Sequence, residues 1–398
     1  MTSSNGTRSA LVLSYSVIES DPRVRRQVDW LAGAGWEVDT LGLGGRPTPA
    51  VRDHFALEAP SRWVTTRAGV LAAQLVLPAR VRFRRQVVDR IPRAAQERLR
   101  SGRYDLVVFN ETEFGPLLAD PSVFTPAARR ARLHLDLHEY HNPAQRRQTL
   151  GARITGSHYR WVRGFIGHPA FTSRSVVNAP IGRLYVDEFG VDALVPVRNI
   201  PPFVDQEPSP VDPGEIRLLF HGLASWKRGF DAILDAMRVL PEHFSMTFML
   251  MPNPAVEARL RESIAAHPAA ARIRIVPPAP MRELAERINE YDLEIIFYRP
   301  LERNLEFALP NKFFEAVQGR LGVVVGESPA MAEIVRELGI GVVVPGFDAA
   351  DLAASLADLT IADVVRLKAA SHRAADVLNA EVEREAFLAA VESDAHAR

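Results

Sequence analysis

The chain has 398 residues, an ordinary apolar share of 47% and no cysteine. That length exceeds one ordinary core and predicts two or three domains. The missing thiols exclude disulfides and thiolate metal sites, and fit a reducing cytoplasm. The 48 basic and 48 acidic residues cancel, yet residues 1–200 hold 28 arginines and no lysine against 18 acidic residues, an asymmetry that the remainder reverses.

Much of the basic excess lies between Arg80 and Arg103. It reads either as a solvated helix face or as a basic surface for anionic lipid headgroups or an anionic acceptor. Only Lys227, Lys312 and Lys368 are lysines. The polar start, Met1 to Arg8, has no apolar signal core. Ala68 to Ala79, broken by Gln74 and Pro78, is shorter than the roughly 20 residues of a membrane span. The expectation is a cytoplasmic protein, with the Arg80–Arg103 face as its route to the inner side of the membrane. No nucleic-acid partner is expected.

In chain order, Ala10 to Tyr15 reads as a strand. Asp21-Pro22 then starts a helix, because Asp can cap free N–H groups and Pro suits the first helical position. Val24, Val28 and Leu31 fall at helical spacing, and Gly33 and Gly35 end the helix. Strands follow at Glu37 to Leu43, Asp105 to Asn110, Leu133 to Leu137 and Ala170 to Ser173. The alternation predicts a parallel sheet covered on both faces. Five prolines crowd the stretch from Pro201 to Pro213, the best domain boundary. Beyond it strands are predicted at Ile216 to Phe220, Met246 to Met251, Arg272 to Val276, Leu293 to Tyr298, Gly322 to Val325 and Gly341 to Val344. Ala380 to Val391 reads as an amphipathic helix. The predicted architecture is α/β, with two doubly wound Rossmann-like domains facing across a cleft. Residues 1–202 form the first domain, 203–214 the hinge and 215–379 the second domain. The helix within 380–398 is expected to pack back on the first domain.

Three constellations can carry chemistry. In Phe220-His221-Gly222-Leu223-Ala224-Ser225-Trp226-Lys227-Arg228-Gly229, a strand ends in a loop with two cations before a helix. This is either a diphosphate site or an ordinary solvated loop. In Leu309-Pro310-Asn311-Lys312-Phe313-Phe314-Glu315, Asn311 can cap a helix, while Lys312 and Glu315 share the face away from Phe313 and Phe314. They form either a ligand-facing pair or a surface ion pair. Asp136-Leu137-His138-Glu139-Tyr140-His141 contains the end of a predicted strand and places His138 and Glu139 at a sheet edge, as ligand contacts or as a polar loop. The spacing of His138, Glu139 and His141 fits metal ligation poorly. Ser16 and Arg23, near the first strand's carboxyl end, are further candidates for ligand contact. No dinucleotide or Walker-type glycine fingerprint is present.

Together these strings resemble the retaining glycosyltransferases of family four, which have the GT-B fold. Lys227-Arg228-Gly229 resembles the basic motif that contacts the donor diphosphate. Leu309 to Glu315, with Gly319 and Gly322-Val323-Val324-Val325 after it, resembles the branch reading Pro-Asn-Lys-x-Phe-Glu. Asp21-Pro22-Arg23-Val24 and Asp136-Leu137-His138-Glu139 resemble that branch's N-terminal motifs. The resemblance implies a metal-independent sugar transfer, with retention, from a nucleotide-diphosphate donor to a glycan, lipid-linked or small-molecule acceptor. Lys227, Arg228 and His138 would be catalytic. Gly222, Lys227, Arg228, Asn311, Lys312 and Glu315, in the nucleotide-sugar domain, would bind the donor, Glu315 through the ribose, and Ser16, Arg23 and Glu139, in the first domain, would lie on the acceptor side. No cofactor or metal is expected. The family's other glutamate stands eight positions before the second, where this chain has Phe307. Glu306 and Asn304 are the nearby substitutes. A nucleotide-sugar 2-epimerase of the same fold and a non-catalytic nucleotide-sugar-binding protein are the alternatives.

Overall fold

A computed structural model describes residues 7–59, 77–140, 158–301 and 303–393. His141 and most of Ala68 to Ala79 lie outside the described residues. The chain divides into two units, residues 1–198 with 384–398, and residues 199–383.

The first unit holds a parallel seven-stranded sheet of β1 (Ser9–Val17), β2 (Glu37–Leu43), β3 (Val51–Ala56), β4 (Leu106–Asn110), β5 (Arg132–Leu137), β6 (Ser173–Val176) and β7 (Val195–Pro196), in the order β3-β2-β1-β4-β5-β6-β7. Ala10 to Leu13 are wholly buried, as a central strand covered on both faces requires. Asp21 caps helix Pro22–Gly33 by accepting from the N–H groups of Arg23 and Val24, with Pro22 in the first turn. Val24, Val28 and Leu31 enter a core that also takes Phe387 and Val391 from helix Ala380–Glu392.

Strands β3 and β7 were not expected. Both are edges, and β3 carries Arg52, Asp53 and His54 in place of an apolar run. The strand expected at Ala170 to Ser173 starts at Ser173 instead, because the Phe171 N–H turns back onto the His168 carbonyl at 3.2 Å.

The basic stretch is only partly a surface. Arg82 and Arg90 are buried, Arg98 pairs with Asp39 and Asp53, and Arg84 lies 3.6 Å from Asp89 and from Asp120. Arg80, Arg85, Arg93 and Arg100 are exposed. No helix among the described residues is long and apolar enough to cross a membrane.

The second unit holds a parallel six-stranded sheet of β8 (Ile216–Leu223), β9 (Phe244–Met251), β10 (Ile273–Val276), β11 (Leu293–Ile296), β12 (Gly322–Gly326) and β13 (Gly341–Val344), in the order β10-β9-β8-β11-β12-β13. The Pro-rich segment 203–214 is bonded to this unit along its length. The buried Arg320 guanidinium donates to the carbonyls of Val204 and Gln206. The Lys368 ammonium donates to Ser209 Oγ at 3.0 Å, and Arg217 donates to the Pro210 carbonyl at 3.1 Å.

Candidate functional site

In the second unit the strand order reverses direction between β8 and β11. Loops leaving the carboxyl ends of two such strands part, and ligands of doubly wound sheets bind in the crevice they leave. Backbone register between β8 and β11 covers only Leu218 with Leu293 and Leu219 with Glu294. Beyond that point a side chain replaces the ladder, and Glu294 Oε1 accepts the His221 N–H at 3.1 Å.

The loop after β8 follows the expected order of parts. Gly222 adopts φ 107°, a conformation that suits glycine, and a Cβ there would lie 3.7 Å from Lys312 Cε, so this turn passes directly beside the lysine. Trp226 packs edge-on against Phe230 with ring centroids 5.7 Å apart and anchors the turn Trp226–Arg228. On that turn Lys227 is exposed and Arg228 half-buried. Arg228 Nη1 donates to Tyr298 Oη at 2.8 Å, which fixes the guanidinium at the end of β11. Gly229 has φ 87°, and a Cβ on it would fall 2.2 Å from the Phe297 carbonyl oxygen, so only glycine fits. Gly229 caps the next helix, which begins at Phe230.

Helix Asn311–Gln318 corrects two expectations. Pro310, with φ −74° and ψ 154°, is its N-cap, so Asn311 is the first helical residue and caps nothing. Asn311 Oδ1 accepts instead from Asn199 Nδ2 at 2.7 Å. Lys312 does not lie on a solvent face beside Glu315, because its side chain is only 4% exposed. The ammonium sits 3.3 Å from the centroid of the Phe220 ring and 3.6 Å from Glu294 Oε1, with no hydrogen-bond partner among the described residues. Burial lowers its pKa to about 8, more than the Glu294 carboxylate restores.

His221 and Glu294 were not singled out in the sequence, yet they join these parts. His221 Nδ1 lies 3.0 Å from Glu294 Oε2, and His221 Nε2 lies 2.9 Å from Glu315 Oε2. Burial disfavours the imidazolium, but the two carboxylates outweigh it and push the pKa up to about 9. At neutral pH both ring nitrogens therefore carry protons; Nε2 is hydrogen-bonded to Glu315, while Nδ1 meets Glu294 Oε2 as an ion-pair contact. The available signal was Glu294 as a lone charge within the apolar run Leu293 to Tyr298. Glu306, on the short helix Arg303–Glu306, pairs with Arg303 at 3.0 Å. Asn304 lies half-buried on the same helix.

The first unit has its own reversal, between β1 and β4. Ser16 Oγ donates to Asp21 Oδ2 at 2.8 Å and lies 2.8 Å from Ser14 Oγ. Arg23 is not open to an acceptor. It is 6% exposed, clamps both oxygens of Asp136 at 2.6 Å and donates to the Val197 carbonyl. Asp136 also accepts from Gln27 and Ser175. Although burial acts the other way, Arg23 and His138 hold this carboxyl well below the usual range.

His138 stays at the edge, its side chain 21% exposed, with Nε2 2.9 Å from Asn110 Oδ1 and 3.1 Å from Asp136 Oδ2. Burial opposes its charge, but Asp136 and Glu111 raise its pKa. Glu111, which the sequence did not suggest, has φ 64° at the end of β4 and accepts the His138 N–H at 2.6 Å. Glu139 is exposed, and its carbonyl accepts from Tyr185 Oη.

No protein-family model and no curated protein sequence matches the chain. Solved structures do. Sucrose-phosphate synthase from Thermosynechococcus elongatus is 16% identical at a TM-score of 0.66, with 96% of this chain and 97% of that one covered. A glycosyltransferase from Rickettsia africae is 12% identical at 0.66, with coverage of 98% and 100%. WaaG, a glycosyltransferase involved in lipopolysaccharide biosynthesis, is 12% identical at 0.61, with coverage of 97% and 100%. The chain thus has two parallel-sheet α/β units similar in fold to those of GT-B glycosyltransferases.

Proposed function

We propose that the chain is a glycosyltransferase that moves a hexosyl-type sugar from a nucleotide-diphosphate donor, with retention and without a metal, to a glycan, lipid-linked or small-molecule acceptor. One observation carries the reading. At the β8–β11 reversal, a glycine-containing loop, a buried ammonium with no hydrogen-bond partner among the described residues, a positioned guanidinium and an edge carboxylate converge. Such a set suits a nucleoside diphosphate, with cations for phosphate and a carboxylate for the ribose diol.

Lys227, Arg228 and Lys312 would offset the charge that grows on the departing diphosphate as the bond from its oxygen to the anomeric carbon breaks. The acceptor hydroxyl forms the new bond, and its proton leaves with the diphosphate. Glu315 would hold the ribose, and Glu306 or Asn304 would meet the transferred sugar. On the first unit, His138 with Ser16 and Glu139 would meet the acceptor. A cytoplasmic location is part of the proposal. Arg80, Arg85, Arg93 and Arg100 would supply contact with an anionic membrane, which vesicle flotation tests.

The test of the reading is nucleoside diphosphate release from UDP-, GDP-, ADP- and TDP-hexoses by the wild type and by Lys227→Ala, Arg228→Ala and Glu315→Ala. Each substitution is expected to lower kcat/KM by about tenfold or more. Unchanged donor binding and turnover in all three would refute the placement. Activity that survives EDTA is expected as well. A new sugar isomer formed from donor alone would mark an epimerase instead.

A further inference from the structure

Glu294 is an unusual residue to find in the middle of a buried strand. Its side chain is 0% exposed on β11, between Leu293 and Ile295, both in the core. A buried carboxylate is costly unless paired, and apolar residues in place of a buried ion pair are often as stable or more so. Glu294 serves as the inner end of a chain of contacts that runs outward. It takes the backbone N–H of His221 at 3.1 Å and lies 3.0 Å from Nδ1 of the same residue. The other ring nitrogen lies 2.9 Å from Glu315 Oε2. Exposure rises along the chain, from 0% at Glu294 through 4% at His221 to 14% at Glu315. Among the described residues no side chain or backbone group donates to Glu315 Oε1. The imidazole therefore holds one oxygen of the outer carboxylate and leaves the other free to accept.

We propose that His221 and Glu294 are positioning residues for Glu315. The inner carboxylate fixes the imidazole, and the imidazole fixes the outer carboxylate so that it presents acceptor lone pairs to a vicinal diol. The diol is the ribose of the nucleotide, so the proposal rests on the donor reading above. The consequence is selectivity for ribonucleotides over 2′-deoxyribonucleotides. A carboxylate with a free rotamer can still attract a hydroxyl, but it cannot hold two at once without a loss of side-chain entropy.

The experiment is calorimetric titration with whichever of UDP, GDP and ADP the full chain binds most tightly, and with its 2′-deoxy counterpart. The wild type is expected to prefer the ribonucleotide by on the order of tenfold or more, the worth of a hydrogen bond to a charged group. Glu294→Gln and His221→Gln are expected to bring that ratio toward one, whatever they do to absolute affinity. A structural role alone would weaken both ligands together. If the wild type discriminates and both variants keep the ratio, the positioning role is overturned while the ribose contact of Glu315 stands. If the wild type does not discriminate, the ribose contact itself falls, and the proposal with it. Nitrogen NMR of the His221 ring in the wild type gives a readout independent of variant folding. The ribonucleotide is expected to move the Nε2 resonance more than the deoxynucleotide does, and equal shifts would overturn the proposal.

Discussion

Lys312→Met should make the free protein more stable and its nucleotide binding weaker. Among the described residues the buried ammonium has no hydrogen-bond partner, and it lies 3.6 Å from Glu294 Oε1. Its pKa falls from 10.5 to about 8. At about 1.4 kcal/mol per unit, holding it charged costs the folded state roughly 3 kcal/mol. Methionine keeps most of the side chain's volume against Phe220 and removes the charge. Glu294 loses one neighbour but keeps the His221 ring and N–H. The net gain should be about 1–3 kcal/mol near neutral pH, or roughly 2–10 °C in Tm for a unit of this size. Thermal unfolding without ligand measures the first half of the prediction, and titration with a nucleoside diphosphate measures the second. A loss of stability in the free variant would make Lys312 a structural ion-pair partner. Unchanged nucleotide affinity would remove it from the site.

The pH dependence of stability should carry two opposed signatures. His221 has a raised pKa, so its contribution is complete below about 6.5 and is lost as pH climbs to about 9, a loss that His221→Gln should abolish in denaturant titrations. Lys312 has a lowered pKa, so its penalty is complete below about 8 and fades as pH climbs toward 10.5, a gain that Lys312→Met should diminish. Gly229→Ala should cost roughly 2–4 kcal/mol in urea unfolding, since it combines a positive φ with a Cβ 2.2 Å from the Phe297 oxygen. Arg23→Met should cost about 3–5 kcal/mol by leaving Asp136 uncompensated, and the defect should register in thermal unfolding more than as a selective rise in acceptor KM.

Much of the fold was legible because its strands are continuous apolar runs and its helices start at residues such as Asp21-Pro22. The edges of the first unit's sheet were not legible, because β3 pairs through its backbone while its side chains stay polar. The site was legible in its parts and not in its directions. Periodicity separated Lys312 and Glu315 from Phe313 and Phe314, but a helix lying across the end of a sheet has more than one buried side. Lys312 points down onto Phe220, and only the partly exposed Glu315 remains at the edge. Arg23 was misplaced for a similar reason. Its spacing marks the first helical turn, while its direction is set by Asp136, more than a hundred residues away. His221 and Glu294 escaped notice because neither means much without the other, and the strand pairing that joins them is a tertiary fact.

The most direct test of the donor site is a thermal-shift panel of UDP, GDP, ADP and TDP on the intact chain. A ligand that binds only the folded state raises the transition by mass action, so one base should stand out, and Glu315→Ala should reduce its shift. No shift with any of the four, at concentrations well into the millimolar range, would contradict a nucleotide-sugar transferase at this crevice.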